Sequence, residues 1–520
     1  MTPRRQNLWA GLVGVVAALA TLAIAEVIAT LLAIPASSPL FAVGSFVIDI
    51  VPGWFKTLVI DLFGTADKVV LLVCLGVLVL VLAAAVGILQ FRRPPWGLVV
   101  LGAIGVIAAI AAGTRADASF LAPAPTLIGT VAGLVVLNLV TGRLHAYVDA
   151  TRPGASKRDA SRGPVSRRTF LTALGATAAG ALVVGVGARV MNAGTSAVNS
   201  VRAALTLPAP ATPAPAIPAG AELGIPGAEP LFSANETFYR IDTALQVPVI
   251  DSSSWKLKVT GMVDNEFEIG FDELLALPLT EHATTLMCVS NEVGGNLVGN
   301  AMWLGYPIRE LLARAKPRAD ADMVLSRSID GFTAGTPLGA LLDEKRTSLL
   351  AVGMNGKPLP LEHGFPARLV VPGLYGYVSA TKWVVELKVT TFAKDQGYWT
   401  PRGWSALGPV KTASRIDVPA GGTQVAAGTV AVAGVAWAQH VGIAGVEVRV
   451  DQGQWMPATL ATAISADTWV QWVYEWPATS GTHTIQVRAT DTTNFTQSEK
   501  PVAVAPNGAE GWHTIRVNVA

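Results

Sequence analysis

The chain has 520 residues, of which 51% are hydrophobic and 14% are charged, whereas roughly 25% of residues are charged in typical soluble proteins. Its formal net charge of +2 gives no reason to expect nucleic-acid binding, and its two cysteines, Cys74 and Cys288, lie in dissimilar segments, which excludes a disulfide framework. The apolar excess falls almost entirely before residue 190, so a membrane-embedded half is expected to precede an ordinary globular half.

Apolar stretches in the first half have lengths near the roughly 20 residues that a helix needs to cross a bilayer. They run over Leu8–Ile34, Val69–Gln90, Trp96–Gly113 and Thr126–Gly142, and a weaker fifth stretch, rich in Ala and Gly, covers Phe170–Val190. The mixed segment Pro35–Lys68 predicts an extracytoplasmic loop with an amphipathic helix on the membrane surface. Cys74, inside the second stretch, is expected to be a small buried apolar residue.

Basic residues lie at alternate ends of these stretches. They are Arg4, Arg5, Arg92 and Arg93, followed by Arg143, Arg152, Lys157, Arg158, Arg162, Arg167 and Arg168 in the long connection before the fifth stretch. Because positively charged loops stay in the cytoplasm, five spans place everything after residue 190 outside. The protein is therefore predicted to be a multi-pass protein of the cell membrane with an extracytoplasmic globular half.

Residues 166–171 read Ser-Arg-Arg-Thr-Phe-Leu and precede a mildly hydrophobic run. This pattern resembles a twin-arginine export signal, placed internally instead of at the N-terminus. The alternative is ordinary positive charge before a helix. Export of a folded domain would favour a cofactor that is loaded in the cytoplasm.

Two ionisable residues of the membrane half bear on redox chemistry. His145 is the only histidine before residue 190, so bis-histidine haem ligation, and hence haem in this chain, is not expected. Glu26 lies in the first span and is a candidate functional group, with a quinone contact and a neighbouring helix as alternative partners.

The globular half begins after an Ala/Pro-rich linker at residues 191–230, whose composition favours extended polyproline II and a semi-rigid spacer. Residues 231–408 mix helices and strands, which predicts an α/β domain. The predicted strands are Trp255–Met262, Ala367–Pro372 and Trp383–Thr390, and the predicted helices are Phe271–Leu277 and Pro307–Ala315.

Residues 409–520 change to short strands at regular spacing, which is typical of an antiparallel β-sandwich. The predicted strands are Thr429–Trp437, Gly445–Asp451, Thr468–Trp476, Thr482–Thr490 and His513–Val519. An immunoglobulin-like topology here would lack the inter-sheet disulfide. His440, His483 and His513 occur singly, without the spacing of metal ligands, and are interpreted as surface or strand-face residues.

Cys288 stands at the end of an apolar strand, before a glycine-bearing loop, which is a suitable position for a metal ligand. Several segments around it closely resemble the sulfite-oxidase family of molybdopterin enzymes, in the family's order. They are residues 235–240 (Asn-Glu-Thr-Phe-Tyr-Arg), 284–297 around Cys288, 303–312 (Trp-Leu-Gly-Tyr-Pro-Ile-Arg-Glu-Leu-Leu), 354–373 with His363 and Arg368, and Lys382-Trp383. The resemblance covers roughly residues 230–520.

The resemblance implies a molybdenum–molybdopterin cofactor with Cys288 as the protein ligand of molybdenum, since thiolate suits a sulfur-rich metal site. It assigns Arg240 and Cys288 as catalytic residues, Arg240 binding an oxyanion substrate through its guanidinium. The implied cofactor-binding residues are Asn235, Phe238, Tyr239, Asp330, His363, Arg368, Ser379, Ala380, Thr381 and Lys382, the last six around the pterin phosphate. The C-terminal segment resembles the family's dimerisation domain, which implies a homodimer.

Two departures from the family pattern concern the substrate. Sulfite oxidases usually carry arginines shortly after the ligand cysteine, where this chain has Asn291, Glu292 and Val293. The family's later active-site tyrosine has no clear counterpart; Trp404 lies near its place, with Tyr398 or Arg402 as compensating candidates. These departures argue against a simple transfer of sulfite specificity.

The sequence therefore predicts a multi-domain fold with an N-terminal transmembrane bundle, a mixed α/β molybdopterin domain and a C-terminal immunoglobulin-like sandwich. The predicted function is oxygen-atom transfer on a small oxyanion, with electrons exchanged with a separate carrier or a quinone. One alternative is a reductase of S-oxides or N-oxides, for example of methionine sulfoxide, fed by quinol. The other is a non-enzymatic envelope scaffold. Contact with the lipid bilayer is expected in each case.

Overall fold

This computed structural model describes residues 1–32, 67–114, 120–150, 202–244 and 247–520, with isolated positions at 43–44, 46, 172, 175 and 177–180. The chain forms two compact units that divide near residue 197. The first contains the apolar helices and the second contains the α/β and all-β domains.

Four helices of the first unit are long and apolar enough to cross a membrane, counted over the described residues. They are α1 (Pro3–Leu31), α2 (Asp67–Arg92), α3 (Trp96–Gly113) and α4 (Ala124–Ala150). These helices correspond to the first four predicted stretches. The predicted surface helix in Pro35–Lys68, the motif at 166–171 and most of the fifth stretch lie outside the described residues.

Small residues let the first two helices approach closely. A Cβ on Gly14 of α1 would lie 1.9 Å from the carbonyl oxygen of Ala83, and one on Gly87 of α2 would lie 2.1 Å from that of Ala10. Such backbone contact is typical of helices that associate in lipid. Cys74, predicted to be buried, is instead exposed on α2, and a helix apolar enough to cross a membrane does not need protein to cover such a side chain.

The Ala/Pro-rich segment, predicted to be a semi-rigid spacer, is hydrogen-bonded to both domains of the second unit. The N–H groups of Ala211 and Thr212 both donate to the carbonyl of Leu279 in the α/β domain, at 2.8 and 3.2 Å. Further along, the N–H of Leu223 donates to Oε1 of Gln471 in the all-β domain at 2.7 Å. Residues 211–231, called the strap below, therefore bind both domains, because an extended chain offers backbone groups that need partners.

The α/β domain contains two sheets. One has the order β2-β1-β10-β5-β6, with a parallel β1–β10 pair, and the other has the order β3-β4-β7-β8, with β9 paired to β7. The strands are β1 (Lys256–Gly261), β2 (Phe267–Gly270), β3 (Thr280–Met287), β4 (Val298–Pro307), β5 (Met323–Ser328), β6 (Thr333–Pro337), β7 (Leu349–Met354), β8 (Lys357–Pro358), β9 (Arg368–Val370) and β10 (Val384–Thr390).

Short helices connect these strands: α5 (Phe271–Ala276), α6 (Ile308–Ala315), α7 (Leu338–Leu342) and α8 (Gly376–Ser379), with 3-10 turns at Leu361–His363 and Thr400–Arg402. In β1 exposed lysines alternate with the buried Leu257 and Val259, the period-two pattern of a half-buried strand. In β7 all six residues are buried, which places this strand at the centre of the domain.

The all-β domain consists of two facing sheets, of order β11-β13-β17-β16 and β12-β19-β18-β14-β15. Its core contains Trp472, Val487 and Val517, each 0% exposed, so the predicted sandwich class is confirmed. The strands are β11 (Ala413–Val418), β12 (Gln424–Val425), β13 (Gly428–Trp437), β14 (Ile443–Val450), β15 (Met456–Pro457), β16 (Thr459–Leu460), β17 (Val470–Ala478), β18 (Gly481–Asp491) and β19 (His513–Val519).

The sandwich packs directly on β3, the strand that leads into Cys288. Met287 of β3 shares an apolar cluster with Trp437 and Trp469 of the sandwich. Thr285, also of β3, donates its N–H to the carbonyl of Asp467 at 2.9 Å, and its hydroxyl accepts from the N–H of Trp469 at 2.8 Å. The position of Cys288 therefore depends on both domains.

Candidate active site

Cys288 is the first residue after β3 and opens the loop to β4, called the Cys288 loop (residues 288–297). Its N–H donates to the carbonyl of Leu297 at 2.9 Å, and its carbonyl accepts from the N–H of Asn291 at 3.1 Å. The Asn291 side chain closes the loop by accepting from the N–H of Leu297 at 2.7 Å. Burial raises the pKa of the free Cys288 thiol, against hydrogen bonds with Ser290 that lower it. A buried thiol is thus held in a closed loop.

Two tyrosines from distant segments interact electrostatically with this thiol. Burial, with a smaller contribution from Cys288, raises the pKa of Tyr375 to about 12, and the same causes raise the pKa of Tyr239 above its usual value. Tyr375 is 1% exposed and packs with Met287 and Val289 on either side of Cys288. Both phenols stay protonated at neutral pH.

The segment that begins at Asn235 connects this region to His363. The ring of Phe238 stacks on that of Tyr239 with centroids 5.1 Å apart and meets His363 edge-on at 5.5 Å. Nε2 of His363 donates to the carbonyl of Asn235 at 3.1 Å, which sets the ring's tautomer. The structure therefore brings the predicted residues Asn235, Phe238, Tyr239 and His363 together.

Two buried cations adjoin His363. Arg368 is 6% exposed, and its guanidinium donates only to carbonyl oxygens, including that of His363 at 3.2 Å; no carboxylate pairs with it in the part of the chain that the structure describes. Nζ of Lys382 donates to Oδ2 of Asp242 at 2.7 Å. Burial lowers the pKa of Arg368 to about 10 and that of Lys382 to about 8. Burial and both cations lower the pKa of His363 to about 4.

Asp242 joins Arg240 to this cluster. Its carboxylate, 3% exposed, also accepts from Nε of Arg240 at 3.0 Å. Arg240 is 41% exposed and contributes, with Arg368, to lowering the pKa of Lys382. The structure therefore groups Arg240 with the cations around His363, so its role as substrate-binding residue beside the metal stays a prediction.

The remaining predicted contacts are engaged inside the protein. The hydroxyl of Ser379 donates to the carbonyl of Tyr375 at 2.9 Å, the N–H of Ala380 donates to the carbonyl of Gly376 at 2.9 Å, and the hydroxyls of Thr381 and Ser326 lie 2.7 Å apart. Asp330 accepts from the hydroxyl of Thr243 at 3.3 Å and from the N–H of Phe332 at 3.1 Å. Their assignment to a cofactor stays a prediction.

The arrangement fits the molybdopterin that the resemblance implies. Arg240 and Lys382 share the carboxylate of Asp242, and Arg368 has no carboxylate partner among the described residues, so the cluster has positive charge left for a phosphate. Gly364, at φ 110°, leaves space beside Arg368 that a side chain would fill, since a Cβ at this position would lie 3.0 Å from Cβ of Arg368. The free Cys288 thiol suits a soft metal.

The buried, neutral His363 should make the cofactor-free chain sensitive to acid. The pKa of His363 falls from 6.5 in the unfolded chain to about 4 in the folded chain. Between these two pH values only the unfolded chain takes up the proton, so the free energy of unfolding is highest above pH 6.5 and decreases as the pH falls towards 4. Lowering the pH from about 7.5 to about 5 should cost wild type about 2 kcal/mol more than His363→Gln. The measurement is thermal unfolding of the full cofactor-free chain at both pH values.

A control of opposite sign is His483, whose pKa is raised by Asp451. His483→Asn should remove stability that is present in acid and lost as pH rises. Equal pH responses of wild type and His363→Gln would contradict a neutral buried His363.

Some residues at this site were not predicted. Tyr375 follows directly after the motif that ends at Gly373, and Asp242 stands two positions after Arg240; these placements were the only indications in the sequence. His513, interpreted as a strand-face residue, contacts Gly294 of the Cys288 loop. Trp404, expected near the place of the family tyrosine, packs against the cluster that contains Met287 and Val289 and contacts Tyr377, with ring centroids 5.9 Å apart.

Comparison with family models gives two matches. A model described as an oxidoreductase molybdopterin binding domain matches residues 244–399, and one described as a bacterial Ig domain matches residues 413–487. The two matches correspond to the α/β domain and the sandwich.

Curated relatives match part of this chain. An uncharacterized oxidoreductase, YuiH, of Bacillus subtilis is 35% identical over 160 residues, which cover 30% of this chain and 76% of the relative. Mitochondrial sulfite oxidase of Rattus norvegicus is 29% identical over 258 residues, covering 42% of this chain and 47% of that enzyme. The chain thus spans about half the length of this sulfite oxidase. The solved structure of the sulfane dehydrogenase SoxCD from Paracoccus pantotrophus aligns with 56% of this chain and 82% of its own, at 21% identity and a TM-score of 0.49.

Proposed function

We propose that this chain, which belongs to the sulfite-oxidase family of molybdopterin oxidoreductases, oxidises a small oxyanion such as sulfite and passes the electrons to a separate carrier or a quinone. It is an enzyme of the sulfite-oxidase type, whose family implies a molybdenum–molybdopterin cofactor. The observations that support the proposal most are the free, buried Cys288 thiol and the two buried cations, Arg368 and Lys382, that adjoin His363.

The residues of the site have separable roles in this proposal. When bound, the molybdenum cofactor supplies two-electron oxygen-atom transfer. Cys288 offers the sulfur ligand, and Arg368 and Lys382 hold the phosphate end of the pterin through charge-assisted hydrogen bonds. Tyr239 and Tyr375 keep their phenolic protons and add no charge to the surroundings of the thiol. The apolar packing around Met287 excludes water from the reacting groups.

The second part of the proposal concerns the membrane. The four apolar helices support anchoring in a bilayer, and the basic segments of the sequence favour a globular unit on the extracytoplasmic side. An electron acceptor in or near the membrane, such as a quinone, then lies within reach of the enzyme.

Reduction of an S-oxide is the second candidate, and the residues around the thiol favour it. The Cys288 loop carries Glu292 and Val293 where sulfite oxidases carry arginines, and the electrostatic neighbours of Cys288 include the phenols of Tyr239 and Tyr375. Neutral donors suit the S–O dipole of a neutral substrate better than they suit a doubly charged sulfite.

The test is a two-direction assay of the purified full chain, after molybdenum and pterin have been measured. Oxidation of sulfite with ferricyanide and reduction of methionine sulfoxide with reduced viologen are compared by kcat/KM. Higher kcat/KM for sulfite supports the first proposal and higher kcat/KM for the sulfoxide supports the second. A chain with about one molybdenum that turns over neither contradicts both substrate proposals, and a chain properly expressed without molybdenum or pterin supports the scaffold alternative.

A further inference from the structure

Arg415, on β11 of the sandwich, is bonded to the loop that follows Cys288. Its Nη1 donates to the carbonyl of Gly295 at 3.0 Å, although the side chain belongs to the other domain. Its Nε donates to Oδ1 of Asp417 at 2.6 Å and its Nη2 to Oε2 of Glu229 at 3.2 Å. The Arg415 side chain is 7% exposed. Its three guanidinium nitrogens each have an acceptor, one in the Cys288 loop, one in β11 and one in the strap.

The strap fixes the same arginine from a second direction. The N–H of Glu229 donates to Oδ2 of Asp417 at 3.0 Å, and its carbonyl accepts from Nε2 of Gln471 at 2.7 Å. Glu229 is therefore tied to the sandwich at its backbone while its carboxylate binds Arg415. The Ala/Pro-rich segment takes part in this arrangement instead of only linking the two units.

A second sandwich residue meets the same loop one position earlier. Gly294 has φ +78°, and a Cβ there would lie 2.3 Å from Nε2 of His513. The ring of His513 is oriented by the N–H of Ile416, which donates to its Nδ1 at 3.0 Å. Only glycine offers both this backbone angle and this close approach, so the loop is shaped to contact the sandwich.

The contact at Gly295 reaches Cys288 through short steps. A Cβ on Gly295 would lie 2.6 Å from Oδ1 of Asn291, and that oxygen accepts from the N–H of Leu297. The carbonyl of Leu297 in turn accepts from the N–H of Cys288 at 2.9 Å. A displacement of Gly295 therefore disturbs the two hydrogen bonds that close the loop around the thiol.

We propose that Arg415 is a positioning residue that holds the Cys288 loop in the conformation that presents the sulfur, so that the sandwich is a working part of the active site. This inference rests on the proposed role of Cys288 as metal ligand. Part of the loop reaches solvent, Val293 being 37% exposed, and a glycine-containing loop without an external anchor opens easily. The planar guanidinium fixes acceptors from separate segments in one geometry, which lysine cannot do.

The experiment measures the accessibility of the Cys288 thiol in the full chain produced without cofactor, on a Cys74→Ser background so that one thiol remains. Alkylation by iodoacetamide, well below the unfolding temperature, should be about tenfold faster in Arg415→Met than in the Cys74→Ser parent, because the loop opens more often. Arg415→Lys should fall between them. In cofactor-loaded protein, Arg415→Met should also shift the Mo(V) electron paramagnetic resonance signal, which reports the position of the sulfur ligand.

Arg488→Met is the matched control, because Arg488 lies in the same sandwich and pairs with Glu447 on β14. It should leave both the alkylation rate and the signal unchanged. If Arg415→Met does not fold, Glu229→Gln weakens the same arrangement and should give the same direction of change. The proposal would be overturned if every Arg415 and Glu229 variant were alkylated at the rate of the Cys74→Ser parent while its Tm was lower. That result would mean that Arg415 only stabilises the contact between the two domains. Because alkylation needs no cofactor, this result is independent of whether molybdenum and pterin are found.

Discussion

Cys288→Ser is expected to abolish turnover while leaving the fold and the pterin-binding cluster intact. Serine is close in size to cysteine and Cys288 is the first residue after β3, so the buried position tolerates the change. A hydroxyl is a hard, weakly acidic ligand that does not replace thiolate at a sulfur-rich metal site. We expect kcat/KM to fall by about 10³-fold, equivalent to roughly 4 kcal/mol of transition-state stabilisation.

The measurement combines steady-state kinetics on whichever substrate is turned over with molybdenum and pterin content of the same preparation. Cys74→Ser is the control, since Cys74 is exposed on α2 of the apolar unit, and its kcat/KM should match wild type. Wild-type turnover with an unchanged Mo(V) signal in Cys288→Ser would remove Cys288 as the metal ligand.

The second large effect is expected from Arg368→Met. The guanidinium is buried, donates to three backbone carbonyls and has no carboxylate partner among the described residues. Hydrogen bonds to charged groups contribute about 1.5–3 kcal/mol each, so the loss should weaken cofactor retention about 10- to 100-fold. Pterin fluorescence and molybdenum content after purification measure the occupancy.

The cofactor-free chain should respond differently to the same change. Burial lowers the pKa of Arg368 to about 10, which means that the charge is held at a cost in the absence of an anion. Arg368→Met should therefore leave the Tm of the cofactor-free chain unchanged or raise it, while it lowers the Tm of loaded preparations. Arg327→Met is the control, because Arg327 is 43% exposed and pairs with Glu386 on the surface. A large loss of cofactor-free Tm in Arg368→Met would indicate a purely structural arginine.

The prediction of secondary structure from the sequence was accurate where the local pattern was periodic. The strand predicted at His513–Val519 has those bounds in the structure, and the helix at Trp96–Gly113 does as well. Both depend on the spacing of apolar residues over one strand or one helix, which local sequence contains in full. The Ala/Pro-rich segment was predicted less well, because composition indicates an extended chain but not which surface the chain contacts.

In the candidate site, too, the residues that stand in a local motif could be predicted from the sequence, and the others could not. Cys288, His363, Arg368 and Lys382 could be found because each stands in a motif whose order along the chain resembles one family. Tyr375 does not stand in one of these motifs. It was found only because it packs with Met287 and Val289, on either side of Cys288, in the structure. Asp242 could not be found from the sequence because its ion-pair partner, Lys382, lies far along the chain. In the structure the Lys382 ammonium lies 2.7 Å from the Asp242 carboxylate.

By itself the sequence determined the class of each region, the family and the thiol most suited to bind the metal, because these depend on local periodicity, composition and motif order. Only the tertiary structure showed that Arg415 contacts both the strap and the Cys288 loop, that Asp242 joins Arg240 to Lys382 and that Tyr375 packs with the residues on either side of Cys288. Those features are contacts between residues distant in the chain. Their geometry follows from how two sheets and a sandwich pack, and no pattern within a single segment specifies it.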